Sequence, residues 1–260
     1  MTRPVPTSCR QSVRTAVAVT AIIAALGCSD STSPDKSGTF FGPVNGIGGG
    51  SARSYFTLDR SGTPTELGVL LTEGTLTGLP AATTEFVIEL PSQASVTPFK
   101  HAVVDWQPSG HPPPMVYTVP HFDVHFYMIT QAERAGIVLG DADLAARMVR
   151  QPAAQFVPSG YVAGMASARM GMHWNDPSAP ERNGQPFTQT FIYGSYDGAF
   201  IFAEPMVAKS YLETKPAAVV TPIRLPEKYA AVGYQPTSYT VAYDAATKEY
   251  RIALSDLVRR

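Results

Sequence analysis

Beyond residue 28 the chain has no cysteine: its two, Cys9 and Cys28, both lie near the start. A domain built from the remainder can form neither a disulfide nor a thiolate metal site, so any metal it holds must rest on imidazole and carboxylate. Long apolar runs are equally scarce. The clearest, Thr15–Gly27 (TAVAVTAIIAALG), is too short to span a bilayer. Charge of one sign is lacking as well, with 20 basic against 21 acidic residues and no basic stripe. That balance argues against nucleic acid as a partner. The chain carries no HExxH, no paired-cysteine motif and no internal repeat. The glycine-rich Gly46–Gly50 (GIGGG) runs into a strand pattern rather than a helix, which argues against a phosphate cradle. Gly194–Gly198 (GSYDG) has its serine in the wrong place for a nucleophile elbow and reads as a hairpin.

What is present begins with an export signal. Arg3, Arg10 and Arg14 precede the apolar run, which leads into Ala25-Leu26-Gly27-Cys28. Small residues before a cysteine resemble the processing site of bacterial lipoproteins, with alanine at a position where leucine is usual. Residues 1–27 are therefore expected to be a lipoprotein signal peptide, with Cys28 acylated after cleavage; an ordinary signal peptide containing Cys28 is the alternative. Ser29, in place of an acid, points to the outer membrane in bacteria that have one. Cleavage removes three arginines and no acid, leaving 17 basic and 21 acidic residues, a net charge of −4. Residues 28–38 read as a flexible tether, and residues 39–260 as a single β-rich domain.

Glycine and proline punctuate that domain, and the runs between them favour Val, Ile, Thr, Tyr and Phe. The pattern predicts strands over 53–59, 67–73, 85–90, 102–107, 122–129, 188–193, 199–203, 237–243 and 249–254. Asp197-Gly198 signals a two-residue hairpin, and residues 244–248 a second one. Thr130-Gln131-Ala132-Glu133 is a capping box that should start a short helix to about 139. Asp141 should cap another to about 150, and Pro205 should open a third to about 214. The fold class is mainly β: a single antiparallel β-barrel or sandwich-like domain with two or three short helices.

The chemistry concentrates in one place. All five histidines, His101, His111, His121, His125 and His173, fall within 73 residues. In Pro120–Thr130 (PHFDVHFYMIT), strand alternation sets His121, Asp123, His125 and Tyr127 on one face and Phe122, Val124, Phe126 and Met128 on the other. Residues two apart stand about 6.6 Å from each other and can share an ion, whereas His121 and His125, about 13 Å apart, would do so only at full stretch. Either a bend at Pro120 brings His121 inward, or Asp123 binds with one histidine while the other supports from behind. His173 would join from another strand, and Glu204 would complete a three-histidine, one-carboxylate set. His111, beside Pro112-Pro113-Pro114, is a weaker candidate, and His101 weaker still. Trp106, Tyr127 and Trp174 suit either a pocket wall or the core.

Several long stretches, among them PFKHAVVDWQPSGHPPPMVYTVPHFDVHFYMI, MGMHWNDPSAPE and YDGAFIFAEPMVAKSYLE, resemble a family of exported bacterial domains of unknown function with PHFDxHFY and MGxHW motifs. The resemblance runs from about Gly46 to Glu213. It implies a compact domain outside the cytoplasm and no established reaction. His111, His121, Asp123, His125, His173 and Glu204 stand in its motifs; Ser109 departs from it, where the family often carries a further histidine.

The leading expectation is an extracytoplasmic, membrane-anchored lipoprotein domain facing the periplasm or cell exterior. It would bind a divalent metal (zinc, iron or manganese) through His121, His125 and His173, with Asp123 or Glu204. Its role would lie in binding or envelope maintenance. A metal-dependent oxygenase or hydrolase using the same ligands is the second reading, and a metal-free structural or envelope-stress homo-oligomer the third. The small-molecule ligand, if there is one, is left open.

Overall fold

Alternation of apolar and polar side chains needs a partner surface for each apolar face, and the chain supplies two. In a computed structural model, which describes residues 1–2, 35–138, 140 and 142–260, the strands run in chain order as follows. They are β1 (Gly38–Phe41), β2 (Asn45–Ile47), β3 (Gly50–Leu58), β4 (Pro64–Thr72), β5 (Thr84–Glu89), β6 (His101–Gln107), β7 (His121–Tyr127) and β8 (Val162–Ser167). Then come β9 (Gly171–Asn175), β10 (Gln189–Tyr196), β11 (Ala199–Ala208), β12 (Val219–Pro222), β13 (Tyr234–Gln235), β14 (Ser238–Asp244), β15 (Glu249–Ser255) and β16 (Val258–Arg259). The helices are α1 (Gln131–Ala135), α2 (Ala142–Val149) and α3 (Lys209–Glu213). The expected signal peptide, Cys28 and the first part of the expected tether lie outside the described residues, apart from Met1 and Thr2. Residues Pro34–Arg260 form one compact unit. Among the described residues, no helix is long and apolar enough to cross a membrane.

Two seven-stranded antiparallel sheets carry the fold. One has the order β1-β3-β4-β15-β14-β12, with β2 against β3; the other runs β5-β6-β7-β11-β10-β9-β8. Their facing surfaces meet in one core, in which Phe56, Leu67, Val69 and Ile252 of the first sheet join Val104, Phe122, Val124 and Phe126 of the second. Both strand orders are open, so the architecture is a sandwich and not a barrel. A closed barrel would have to pair the edge strands, and among the described residues the edges are left unpaired.

All nine expected strands form, several extended by a few residues at one end. The Asp197-Gly198 turn joins β10 to β11 with both residues at positive φ, as a two-residue hairpin requires. The capping box is complete: Thr130 Oγ1 accepts from the Glu133 amide at 3.2 Å, and Glu133 Oε2 accepts from the Thr130 amide at 2.7 Å. That helix is shorter than expected and stops at Ala135. The second expected helix forms as α2, while its proposed cap, Asp141, lies outside the described residues.

One expectation is corrected. Pro205 does not open a helix; β11 continues through it to Ala208, and α3 starts only at Lys209. Proline has no amide to donate, so it fits a strand only where the ladder can spare one bond. On the β7 side, the pairing passes from Ala203↔Phe126 to Met206↔Asp123, skipping Glu204 and Pro205. The gap includes Glu204. The weaker strands β1, β2, β8, β9, β12, β13 and β16 were not separable from loops by periodicity, being short or rich in glycine.

Candidate metal centres

The site grows from the face of the second sheet turned away from the sandwich core. On β7 this face carries His121, Asp123, His125 and Tyr127, with His121, Asp123 and His125 no more than 2% exposed. Antiparallel register then sets the neighbours. Across β6, Gln107 stands opposite His121, Asp105 opposite Asp123, and His101 opposite Tyr127. On the other side, β11 brings Glu204 alongside His125. His173 comes from β9, where it pairs with Gly194 of β10. Its neighbour Trp174 points into the main core and donates from Nε1 to Ser195 Oγ at 2.8 Å, which pins β9 in register.

Gly194 matters to this arrangement. A Cβ there would stand 1.9 Å from the Phe202 ring, so only glycine lets that ring lie flat between β9 and β11. Phe202 then meets both His125 (4.8 Å between centroids) and His173 (5.7 Å), edge to face. Tyr127 stacks between His101 (5.0 Å) and His125 (5.5 Å).

The expected single constellation divides in two. His125, His173 and Glu204 form one group, and His111, His121 and Asp123 another; within each group the ligand atoms lie within 4.8 Å of one another. His121 and His125 fall in different groups, so neither group needs to span the distance of about 13 Å between them. His111 enters from the loop after β6, where its amide donates to Tyr117 O at 3.1 Å and its ring packs against His121 at 4.8 Å.

Ring orientation is uniform. Nδ1 of His111 meets Pro112 O at 2.8 Å, Nδ1 of His121 meets Val119 O at 2.7 Å, and Nδ1 of His173 meets Met165 O at 3.0 Å. A carbonyl oxygen only accepts, so these Nδ1 atoms hold a proton, and Nε2 is the nitrogen each ring has left for another partner. For His125 the corresponding neighbour is a carboxylate, Asp105 Oδ2, 3.2 Å from Nδ1. Partners of this kind, behind the ring, orient a histidine that binds a metal through its other nitrogen.

The Nε2 atoms meet carboxylates. His121 Nε2 lies 3.0 Å from Asp123 Oδ1, His111 Nε2 3.4 Å from Asp123 Oδ2, and His125 Nε2 3.2 Å from Glu204 Oε2. Yet His121 Nε2, Asp123 Oδ1, Glu204 Oε2 and both His125 nitrogens, with the Asp105 oxygens, are buried and make no aligned hydrogen bond, so these short contacts are electrostatic. Donor atoms bound to one ion at about 2.1 Å stand about 3.0–3.4 Å apart, a spacing these three histidine–carboxylate pairs match. Gln107 Nε2 steadies Asp123 by donating to Oδ2 at 3.2 Å.

The electrostatics favour positive charge. Burial disfavours a charged His111, but hydrogen bonding and attraction from Asp123 outweigh it and raise its pKa to about 9. Burial likewise opposes charge on His125, and Glu204 and Asp105 overcome it, holding the pKa well above the usual value. For Asp123, burial pulls upward while His121 and His111 pull harder and keep it ionised. Burial raises Asp105, despite its His125 neighbour, and lowers His173, despite Glu204. Burial, with Arg134 adding to it, pushes His101 down to about 4.

Both groups open onto one cavity of about 440 Å³, whose walls include His111, Asp123, His125, His173 and Glu204 together with Gln107, Asn175 and Arg182. Each group brings together three residues that could hold an ion. Asp105 and Gln107 were missed by sequence reasoning, although a lone acid within Val103-Val104-Asp105-Trp106 was a visible signal. His101 is buried but belongs to neither group, and Trp106 and Trp174 belong to the main core.

Fold and site thus define a two-sheet β sandwich with two buried groups of two histidines and one carboxylate that could hold metal ions. A family model described as "TTHB210-like: Hypothetical protein TTHB210" matches residues 59–106. The match runs from just after β3 through most of β6 and contains none of the six candidate ligands, so it speaks to an uncharacterised domain and to no reaction. No curated protein and no solved structure shows a significant match.

Proposed function

We propose that the protein is an exported, lipid-anchored domain that binds a divalent cation at His125, His173 and Glu204 and uses it as a metalloenzyme does. The observation that carries this reading is the convergence of His125, His173 and Glu204 on a cavity, their ligand atoms within 4.8 Å of one another, with His173 held at Nδ1 by Met165 O and Asp105 behind His125. A purely structural site is closed by protein ligands, whereas a centre with three ligands and an open cavity leaves room for a small molecule. Two histidines and a carboxylate suit zinc, iron or manganese.

A cation there would supply Lewis acidity and lower the pKa of a coordinated water. The chain's own residues do the rest. Asp105 orients His125, Met165 O orients His173, and the Phe202 ring limits how far either imidazole can turn. Arg182, held by Asn175 Oδ1 at 2.8 Å, brings a positive charge to the cavity wall that suits an anionic substrate group. Export and anchoring rest on residues 1–28, and the absence of cysteine beyond them accords with a site made of imidazole and carboxylate.

Metal analysis of untagged protein, after loading with zinc, iron or manganese and dialysis, tests the reading. Retention of about one equivalent or more per chain is expected, and less than about 0.2 equivalents with every metal would remove it.

A further inference from the structure

We infer that His111, His121 and Asp123 form a second, separate divalent-cation site in the same cavity. The two groups share no residue, so each ion would have its own ligand set. This site does not depend on the first being a metal centre; it stands on its own geometry.

Three observations carry it. His121 and Asp123 are buried, and His121 Nε2 and Asp123 Oδ1 lack hydrogen-bond partners although they stand 3.0 Å apart. Two groups that close would hydrogen-bond if the N–H pointed at the oxygen; here that alignment is missing. Secondly, both rings are committed at Nδ1 to backbone carbonyls, Val119 O and Pro112 O, which leaves Nε2 of each for a ligand. Thirdly, the carboxylate is steadied from outside the group by Gln107 Nε2 at 3.2 Å, a supporting contact of the kind that metal-binding carboxylates carry. A plain His–Asp–His ion pair accounts for the attraction but not for the unpartnered atoms.

The chemistry of the donors selects the ion. Two imidazoles and one carboxylate, with no thiolate, suit zinc, manganese or iron over calcium or magnesium, which prefer oxygen donors. His111 sits on a loop with its side chain 32% exposed, so an ion can reach the site from the cavity mouth without the sandwich opening.

Zinc alone is the probe. Wild type, D123N, H111A and E204Q are loaded, dialysed and assayed for zinc per folded chain, with circular dichroism verifying the fold. H111A serves because its partly exposed loop position spares the core if D123N fails to fold. The expected result is about two equivalents in wild type and about one in each variant. A single equivalent that survives in D123N and H111A but is lost in E204Q overturns this inference and leaves the first centre standing. A single equivalent lost in D123N and H111A but kept in E204Q upholds it and removes the first. No retained zinc in wild type overturns both.

Discussion

Asp105 touches no cavity atom of the His125 group directly, yet it lies 3.2 Å from the back of the His125 ring and is 1% exposed. Its role is to position. D105N keeps the shape and removes the charge, so it should weaken cation affinity by about 10–100-fold while the domain stays folded. Competition against a coloured chelator measures this, and unchanged affinity would show that Asp105 plays no such part. His101 is a different case, buried and neutral. Its folded pKa of about 4 lies below its ordinary 6.5, so the unfolded chain binds the extra proton first as the solution is acidified. Stability from this residue is complete above pH 6.5 and is lost as pH falls through about 4. H101F preserves the stack on Tyr127 and removes the titration. In urea unfolding the wild type should lose on the order of 2–3 kcal/mol more than H101F between pH 7 and pH 4. Parallel pH profiles for the two proteins would contradict it. At this scale the histidines were legible because imidazole beside carboxylate on one strand face is rare. Which imidazole meets which carboxylate was not, because χ angles and backbone carbonyls decide it.

Among the elements, β7 does two jobs at once. Phe122, Val124 and Phe126 enter the sandwich core while Asp123 and His125 line the cavity and His121 lies buried on the same face, an alternation that a one-residue slip would reverse. F126A should therefore cost about 3–5 kcal/mol through the cavity it leaves in the core, read by denaturant melts; a loss below about 1 kcal/mol would mean the packing is not as described. Gly194 is the tighter constraint. G194A puts a methyl into the Phe202 ring and should destabilise by about 1–3 kcal/mol and weaken cation binding, with F202V relieving both effects in the double variant. If F202V brings no relief, the clash is elsewhere. The nine strands with clear alternation could be read directly from the chain. Pro205 misled, because a proline before a helical pattern signals a helix start unless a neighbouring strand can do without its amide. Glu204 lies within that gap, and no sequence signal marks where a ladder will skip.

For the molecule as a whole, two sheets packed on one core supply a rigid wall, and the candidate ligands are drawn from β7, β9, β11 and the loop after β6. Only the folded chain brings these together, so cations should bind the native state selectively. At a hundredfold excess over the dissociation constant of one site, zinc should add about 2.7 kcal/mol, or a rise in Tm of about 5–10 °C, reversed by chelator. A Tm indifferent to zinc would count against native-state binding. Mainly-β architecture followed from punctuation and composition. Sandwich against barrel did not, because closure depends on whether edge strands meet, and edges leave no trace in alternation. One cavity shared by two groups was equally hidden, since it requires residues 111, 125, 173 and 204 to converge from four parts of the chain.

Anomalous X-ray diffraction from crystals of the zinc-loaded protein, collected on either side of the zinc edge, locates the ions directly. The expected map has a peak bounded by Nε2 of His125, Nε2 of His173 and the Glu204 carboxylate. Saturating zinc with no anomalous density at those atoms, or density only at surface residues, would contradict a metal centre on β7.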